Sequence, residues 1–190
     1  MQNEIEDYQI LLDAVRQNFA SVVWTHKIQE KQTDIYSKRY KIFETINVAI
    51  AALTSCGVAS LMTDQNCIWV KIGTCVLSFL TLAITAYFKS FDLKSLEKQH
   101  KDAANSFIVI RNDLLQIITD IYMKNGTAQD INARYQEIMK RLNSLYITAP
   151  GTSNRAVKLA SKALGKDKEY SYTDEEIDRF LPPTLRGKLM

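Results

Sequence analysis

Apolar and polar positions change rhythm several times along this chain. Near the start, Ile5, Tyr8, Leu12, Val15, Phe19 and Val22 recur at a 3-4-3-4-3 spacing. That is the heptad seam of a helix packed on other helices. Polar residues (His26, Gln29) then take the seam positions, while Ile28, Ile35 and Tyr36 extend the contact. At Ile46 the alternation ends. Residues 46–62 carry no charge, residues 63–66 (TDQN) are polar, and residues 67–88 are apolar with one interruption, Lys71. After that the seam returns as Ala103, Phe107, Ile110, Leu114, Ile117 and Ile121, and again as Ile131, Tyr135, Ile138, Leu142 and Leu145.

A bilayer core takes a helix of roughly 20 apolar residues, with about 17–25 tolerated. The two apolar runs therefore predict a transmembrane helical hairpin with an outer turn at 63–66. The alternative is a buried helix pair in a soluble bundle. Core helices of that kind usually carry a charged face, and neither run has one. The second run is the stronger, rich in Ile, Val, Leu and Phe; Asn47, Thr54, Ser55, Gly57 and Ser60 dilute the first. The first run is expected to insert together with the second and pack on it.

The first proline is Pro150, and only Gly57, Gly73 and Gly126 precede it among the glycines. So few breakers predict long helices. The expected fold is all-α: a two-transmembrane hairpin continuous with long helices that form a coiled-coil-like bundle. A helix over 88–122 would reach roughly 50 Å beyond the membrane at 1.5 Å per residue. Asn125-Gly126 would stop it, and the third seam would fold back along it. The expected organisation is an amphipathic arm over 1–45, a hairpin over 46–88 and a helical hairpin over 89–149. A basic linker and short helix follow over 150–190.

Residues 153–168 are basic, with Arg155, Lys158, Lys162, Lys166 and Lys168 beside a thin apolar face of Val157, Ala160 and Leu164. They read either as a helix on anionic headgroups or as a solvated surface segment. Thr173 with Glu176 forms a capping box that predicts a helix over 174–181, ended by Pro182-Pro183. Its Ile177, Phe180 and Leu181 would dock on the bundle or serve as a recognition tail.

Composition and charge sharpen the reading. Mean hydropathy is slightly negative, so much of the chain lies outside lipid. A net charge of +3 on 190 residues does not mark a nucleic-acid binder. The first apolar run starts too far along to be a signal peptide and is expected to act as an uncleaved anchor. Lys38, Arg39 and Lys41 precede the first run, and Lys89, Lys94 and Lys98 follow the second, while the turn has no Lys or Arg. The positive-inside rule then places both termini in the cytoplasm of a two-pass inner-membrane protein. Lys71 would snorkel toward the outer headgroups. Cys56 and Cys75 read as small packing residues; Cys67 near the turn is the candidate for pairing between subunits.

No motif carries chemistry. There is no glycine-rich phosphate loop, G-x-S-x-G, H-E-x-x-H or Cys-x-x-Cys. The two histidines, His26 and His100, are far apart and read as exposed or seam residues. No enzyme activity, cofactor or metal is expected. The second run does hold a pattern: Lys71, Thr74, Ser78, Thr81 and Thr85 lie on one helical face at 3-4-3-4 spacing. Such a stripe lines a pore or lets helices pack closely. Ala49, Ala52, Cys56 and Ala59 on the first run offer a matching small face for packing. Leu12, Val15, Phe19, Phe107, Ile110 and Leu114 are the expected cytoplasmic seam.

The chain resembles the SLATT family, two-transmembrane effector domains associated with SMODS and SLOG proteins. The resemblance rests on the helical arm entering a polar-turn hairpin and on residues 91–112 (FDLKSLEKQHKDAANSFIVIRN). Arg134-Tyr135, residues 146–150 (YITAP) and residues 172–186 (YTDEEIDRFLPPTLR) add to it. It implies bacterial conflict biology. The chain would be an antiviral, abortive-infection effector that oligomerises with itself in the bilayer and forms a pore or perturbs the membrane when a separate sensor protein triggers it. The alternative is a non-conducting, membrane-anchored scaffold that recruits a cytosolic partner.

Overall fold

A computed structural model describes residues 2–63, 68–165 and 173–186, with the side chains of 2–6, 61–63 and 89 left aside. Among the described residues there is no strand. Six α-helices occur: α1 (Gln2–Thr63), α2 (Ile68–Ser90), α3 (Leu93–Tyr122), α4 (Ala128–Thr148), α5 (Asn154–Leu164) and α6 (Asp174–Phe180), then a 3-10 turn at Pro183–Leu185. The all-α class is as the periodicity predicts. The outer turn at 63–66 and Cys67 fall largely outside the described residues.

The helices form two compact units, one of residues 1–32 with 99–190 and one of residues 33–98. In the first unit the three heptad seams meet. Leu12, Val15, Phe19 and Val22 of α1 join Phe107, Ile110, Leu114, Ile117 and Ile121 of α3, and Ile131, Tyr135, Ile138 and Leu142 of α4, in one buried cluster. Hydrogen bonds and ion pairs give the directions. Tyr8 donates to the carbonyl of Gly126, Asn18 to the Tyr135 hydroxyl, and Gln29 to the carbonyl of Pro150, so α1 and α4 run parallel. Arg134 pairs with Asp120 and Arg141 with Asp113, so α3 and α4 run antiparallel.

The ends of these helices are set by local chemistry. Past Tyr122 the backbone turns through Lys124 (φ 52°) and Gly126 (φ 108°), the left-handed region that glycine enters without a Cβ penalty. Thr127 then caps α4, and the Asp130 side chain closes a capping box. The box predicted at Thr173 and Glu176 is present and starts α6. Ile177 and Leu181 are buried in the central cluster, with Phe180 and Leu185 packed against it. The docking reading of this segment is the one observed. Of the basic segment 153–168, Lys166 and Lys168 lie outside the described residues, and residues 153–165 hold α5, capped by Ser153 and ended by Gly165 at φ 66°. Its buried side is Ala156 and Ala160, and Val157 and Leu164 are half-buried.

The second arm is not continuous with the second apolar helix. α2 ends at Ser90 and α3 begins at Leu93. Asp92 accepts a hydrogen bond from the Ser95 backbone N–H at 2.9 Å. An Asp in that position satisfies an orphan amide of a new helix, which favours restarting over continuing. The first arm, by contrast, enters its apolar run without a break, as the lack of breakers predicts.

Candidate functional site

In the unit of residues 33–98, α1 and α2 pack antiparallel. Gly57 faces Thr74 near one end, and Phe43 faces Phe88 near the other, ring centroids 5.9 Å apart. A Cβ built on Gly57 would collide with the Thr74 hydroxyl, so the glycine permits this approach. Thr74 is the one buried residue of α2 among those described. The less exposed positions on α1 are Phe43, Asn47, Ile50, Thr54 and Gly57, and on α2 Val70, Thr74, Leu77, Thr81, Ile84 and Phe88. Both sets follow 4-3 spacing, so each helix gives one stripe to the seam.

The small face expected on α1 lies elsewhere. Ala49, Ala52, Cys56 and Ala59 are exposed in the single chain. The seam is turned one residue further, about 100° round the helix, because Gly57 permits a closer approach than Cys56. The hydroxyl stripe of α2 is split along its length. Thr74 and Thr81 lie toward α1, whereas Lys71, Ser78 and Thr85 are exposed. The hydroxyls of Ser78, Thr81 and Thr85 donate to the carbonyls four residues back at 2.8–3.0 Å. Their donors are therefore satisfied within the helix, with no partner required from outside.

Around this seam the large apolar side chains point outward. Val48 is 65 % exposed, Leu82 65 %, Phe79 70 % and Trp69 78 %. Ile68, Ile72, Val76, Leu53 and Val58 add to the same surface. A monomer in water rarely exposes an apolar patch beyond a few hundred Å², whereas hydrocarbon accepts this surface at no cost. Where the apolar runs end, Tyr40, Phe43, Tyr87, Phe88 and Phe91 form an aromatic cluster with successive centroids 4.8–5.9 Å apart. Tyrosines such as Tyr40 and Tyr87 favour the level of the headgroups.

The bundle unit contributes a second constellation, which seam periodicity does not reveal. Arg16, 1 % exposed, pairs with Asp178 at 2.8 Å and Asp174 at 3.4 Å, tying α6 to α1. Arg16 lies beside the seam residue Val15, where a charged side chain is ordinarily solvated. Its partners lie about 160 positions away, so the one available signal is the acidic face of the capped α6. Burial pushes the neighbouring Tyr122 phenol up, with Arg16 pulling against it.

Polar residues that follow the first seam find their partners on other segments of the bundle. His100 Nδ1 lies 2.6 Å from Gln29 Oε1, both residues buried. Gln32 accepts from the Ser153 amide and hydroxyl. Burial holds the His100 imidazole below its ordinary pKa. Burial also lowers His26, while Glu30 pulls it up. Asp120 is pushed up by burial, but hydrogen bonds from Asn125, Arg134 and Gln116 outweigh this and leave it below the usual carboxylate range.

The structure brings together the seam residues Leu12, Val15, Phe19, Phe107, Ile110 and Leu114 in one core. The fold and its outward apolar helices thus define an all-α membrane protein with two spanning helices. The family model of the SMODS and SLOG-associating 2TM effector domain family 4 matches residues 11–176. With that match running from the bundle arm through both apolar helices into α6, the chain belongs to this family. No curated protein and no solved structure matches the chain.

Proposed function

We propose that this protein is an inner-membrane effector of a bacterial conflict system, acting without catalysis. It assembles with itself and permeabilises the membrane when a partner sensor of the same system acts on its bundle. The observation that carries this reading is the outward apolar surface of α1 and α2, set in a chain whose family is described as two-transmembrane effectors. The bundle supports an even number of crossings. Its core draws on the chain both before and after the apolar helices, so both stretches must lie on one side of the membrane. Lys and Arg on both flanks make that side the cytoplasm. The sensor is a separate protein, and the effector needs no cofactor of its own.

In the active assembly, Ser78 and Thr85 face neighbouring copies and the path between them, and Lys71 stands near the outer mouth. The test is the double substitution Ser78→Leu/Thr85→Leu, both at exposed positions, in cells that express the protein with its sensor. Depolarisation on triggering should disappear while the protein remains in the membrane fraction. Depolarisation that persists at the wild-type level removes the stripe from the path.

One observation favours a second reading, a non-conducting scaffold. The stripe hydroxyls are already satisfied within α2, and Thr74 is spent against Gly57. On that reading an unrelated two-pass anchor replaces α1 and α2 in function, whereas a conducting effector loses all activity in the exchange.

A further inference from the structure

A cavity of about 330 Å³ opens in the unit of residues 33–98, where the apolar runs end. Tyr40, Glu44 and Asn47 line it from one face of α1, Phe88 from the end of α2, and Asp92 and Lys94 from the corner that follows. Glu44 and Asn47 bracket Ile46, the first residue of the uncharged run, and Phe88 is the last residue of the second. On the reading that these helices span the bilayer, the cavity lies at the level of the inner headgroups.

Its chemistry is mixed. Tyr40 donates to Glu44 Oε1 at 3.3 Å, which leaves Oε2 unused. Asp92 spends Oδ1 on the Ser95 amide, which leaves Oδ2. Among the described residues neither carboxylate is in an ion pair. Asn47 Oδ1 is sheltered and has no hydrogen-bond partner. Among the described residues that line it the one cation is Lys94, its Nζ 5.8 Å from the centroid of the Tyr40 ring. Among these residues acceptors outnumber donors, and Lys94 adds one site for an anion.

We propose that this cavity seats the headgroup of phosphatidylethanolamine, with the ammonium on Glu44 and Asp92 and the phosphate on Lys94. A primary ammonium brings N–H donors to the free carboxylate oxygens. A choline headgroup has none, and a net anionic headgroup brings no cation to the two carboxylates. The volume holds an ethanolamine phosphate, and Phe88 provides an apolar wall where the glycerol begins. Because the helices hold the cavity in the membrane, the lipid is always present at high local concentration.

The test uses the purified full chain in detergent, incubated with equal amounts of dioleoyl phosphatidylethanolamine, phosphatidylcholine and phosphatidylglycerol. Retained lipid is read by native mass spectrometry. The ethanolamine lipid should be retained about ten-fold over the choline lipid, as one charge-assisted hydrogen bond provides. Glu44→Gln, at an exposed position, should reduce it to the choline level. Lys94→Met should lower both alike, since both carry the phosphate. Equal retention of all three lipids, a preference for phosphatidylglycerol, or a preference that survives Glu44→Gln overturns the assignment. O-phosphoethanolamine retained as well as the intact lipid at the same concentration gives the seat to a soluble molecule and overturns the lipid. Carbonate extraction of membranes separates the two readings. A protein that comes off in carbonate defeats the spanning of the bilayer; one that stays but shows no preference defeats only the headgroup seat.

Discussion

The two units of this chain treat the same kinds of side chain in opposite ways. In the bundle, Phe107, Leu114 and Leu12 are fully buried, and charged residues such as Lys140 and Glu137 face outward. In the apolar unit, Phe79, Leu82 and Trp69 face outward, and the protected positions include Thr74, Thr81 and Gly57. Water organises the first by excluding hydrocarbon. The second has no such force between its helices, and small and hydroxyl residues let the backbones approach. One helix, α1, follows the first rule up to Phe19 and Val22 and the second from Phe43 onward.

The sharpest way to break the comparison is to delete the same ring in each unit. Phe107→Ala should cost about 3–5 kcal/mol of bundle stability, whereas Phe79→Ala should change stability by about 0.5 kcal/mol or less. Thermal unfolding in detergent, followed by circular dichroism, measures both. Equal losses would mean that Phe79 is covered by protein in the assembled state. A smaller effect is expected at the seam of the apolar unit. Gly57→Val should destabilise it by about 1–3 kcal/mol through overpacking, and adding Thr74→Ala should recover part of the loss. A full double-mutant cycle that adds without coupling would take Thr74 out of the contact.

The smallest effect is on pH. The folded pKa of His100 is depressed by burial, so the unfolded chain takes up its proton first as pH falls. Its contribution to bundle stability is complete above the unfolded value of about 6.5. It declines as pH drops below that toward the folded value. Melting temperatures between pH 7.5 and 5.5 should fall, and His100→Gln should flatten that slope. A slope unchanged by the substitution would assign the acid sensitivity to other groups, with His26 the next to test.

Much of the bundle is legible in the sequence, because a heptad repeat names its own buried face. All six positions from Ala103 to Ile121 are buried, as are Ile131, Tyr135, Ile138 and Leu142. Caps are equally readable, since Thr173 and Glu176 act over three residues. What sequence leaves open is long-range or rotational. Arg16 finds Asp178 across most of the chain, and no local pattern announces an ion pair between the first helix and a distant tail. In the apolar helices the hydrophobic pattern is nearly uniform, so it gives little to fix which stripe faces the partner helix. Composition favours Ala49, Ala52, Cys56 and Ala59, while the structure turns α1 by one residue to bring Gly57 to Thr74. The break at Asp92 is a single side chain overriding an otherwise continuous helical pattern.

The division of the bundle core between the two ends of the chain also sets an order of events at the ribosome. The first 32 residues are made without the partners that bury Leu12, Val15 and Phe19, which begin to appear only after Gln99. Both apolar helices emerge in between. At about 5–20 residues per second, they have seconds to enter the membrane before the bundle closes and before α6 arrives to pair with Arg16. Insertion therefore precedes completion of the bundle, and a newly made copy reaches the bilayer before its own soluble unit has closed.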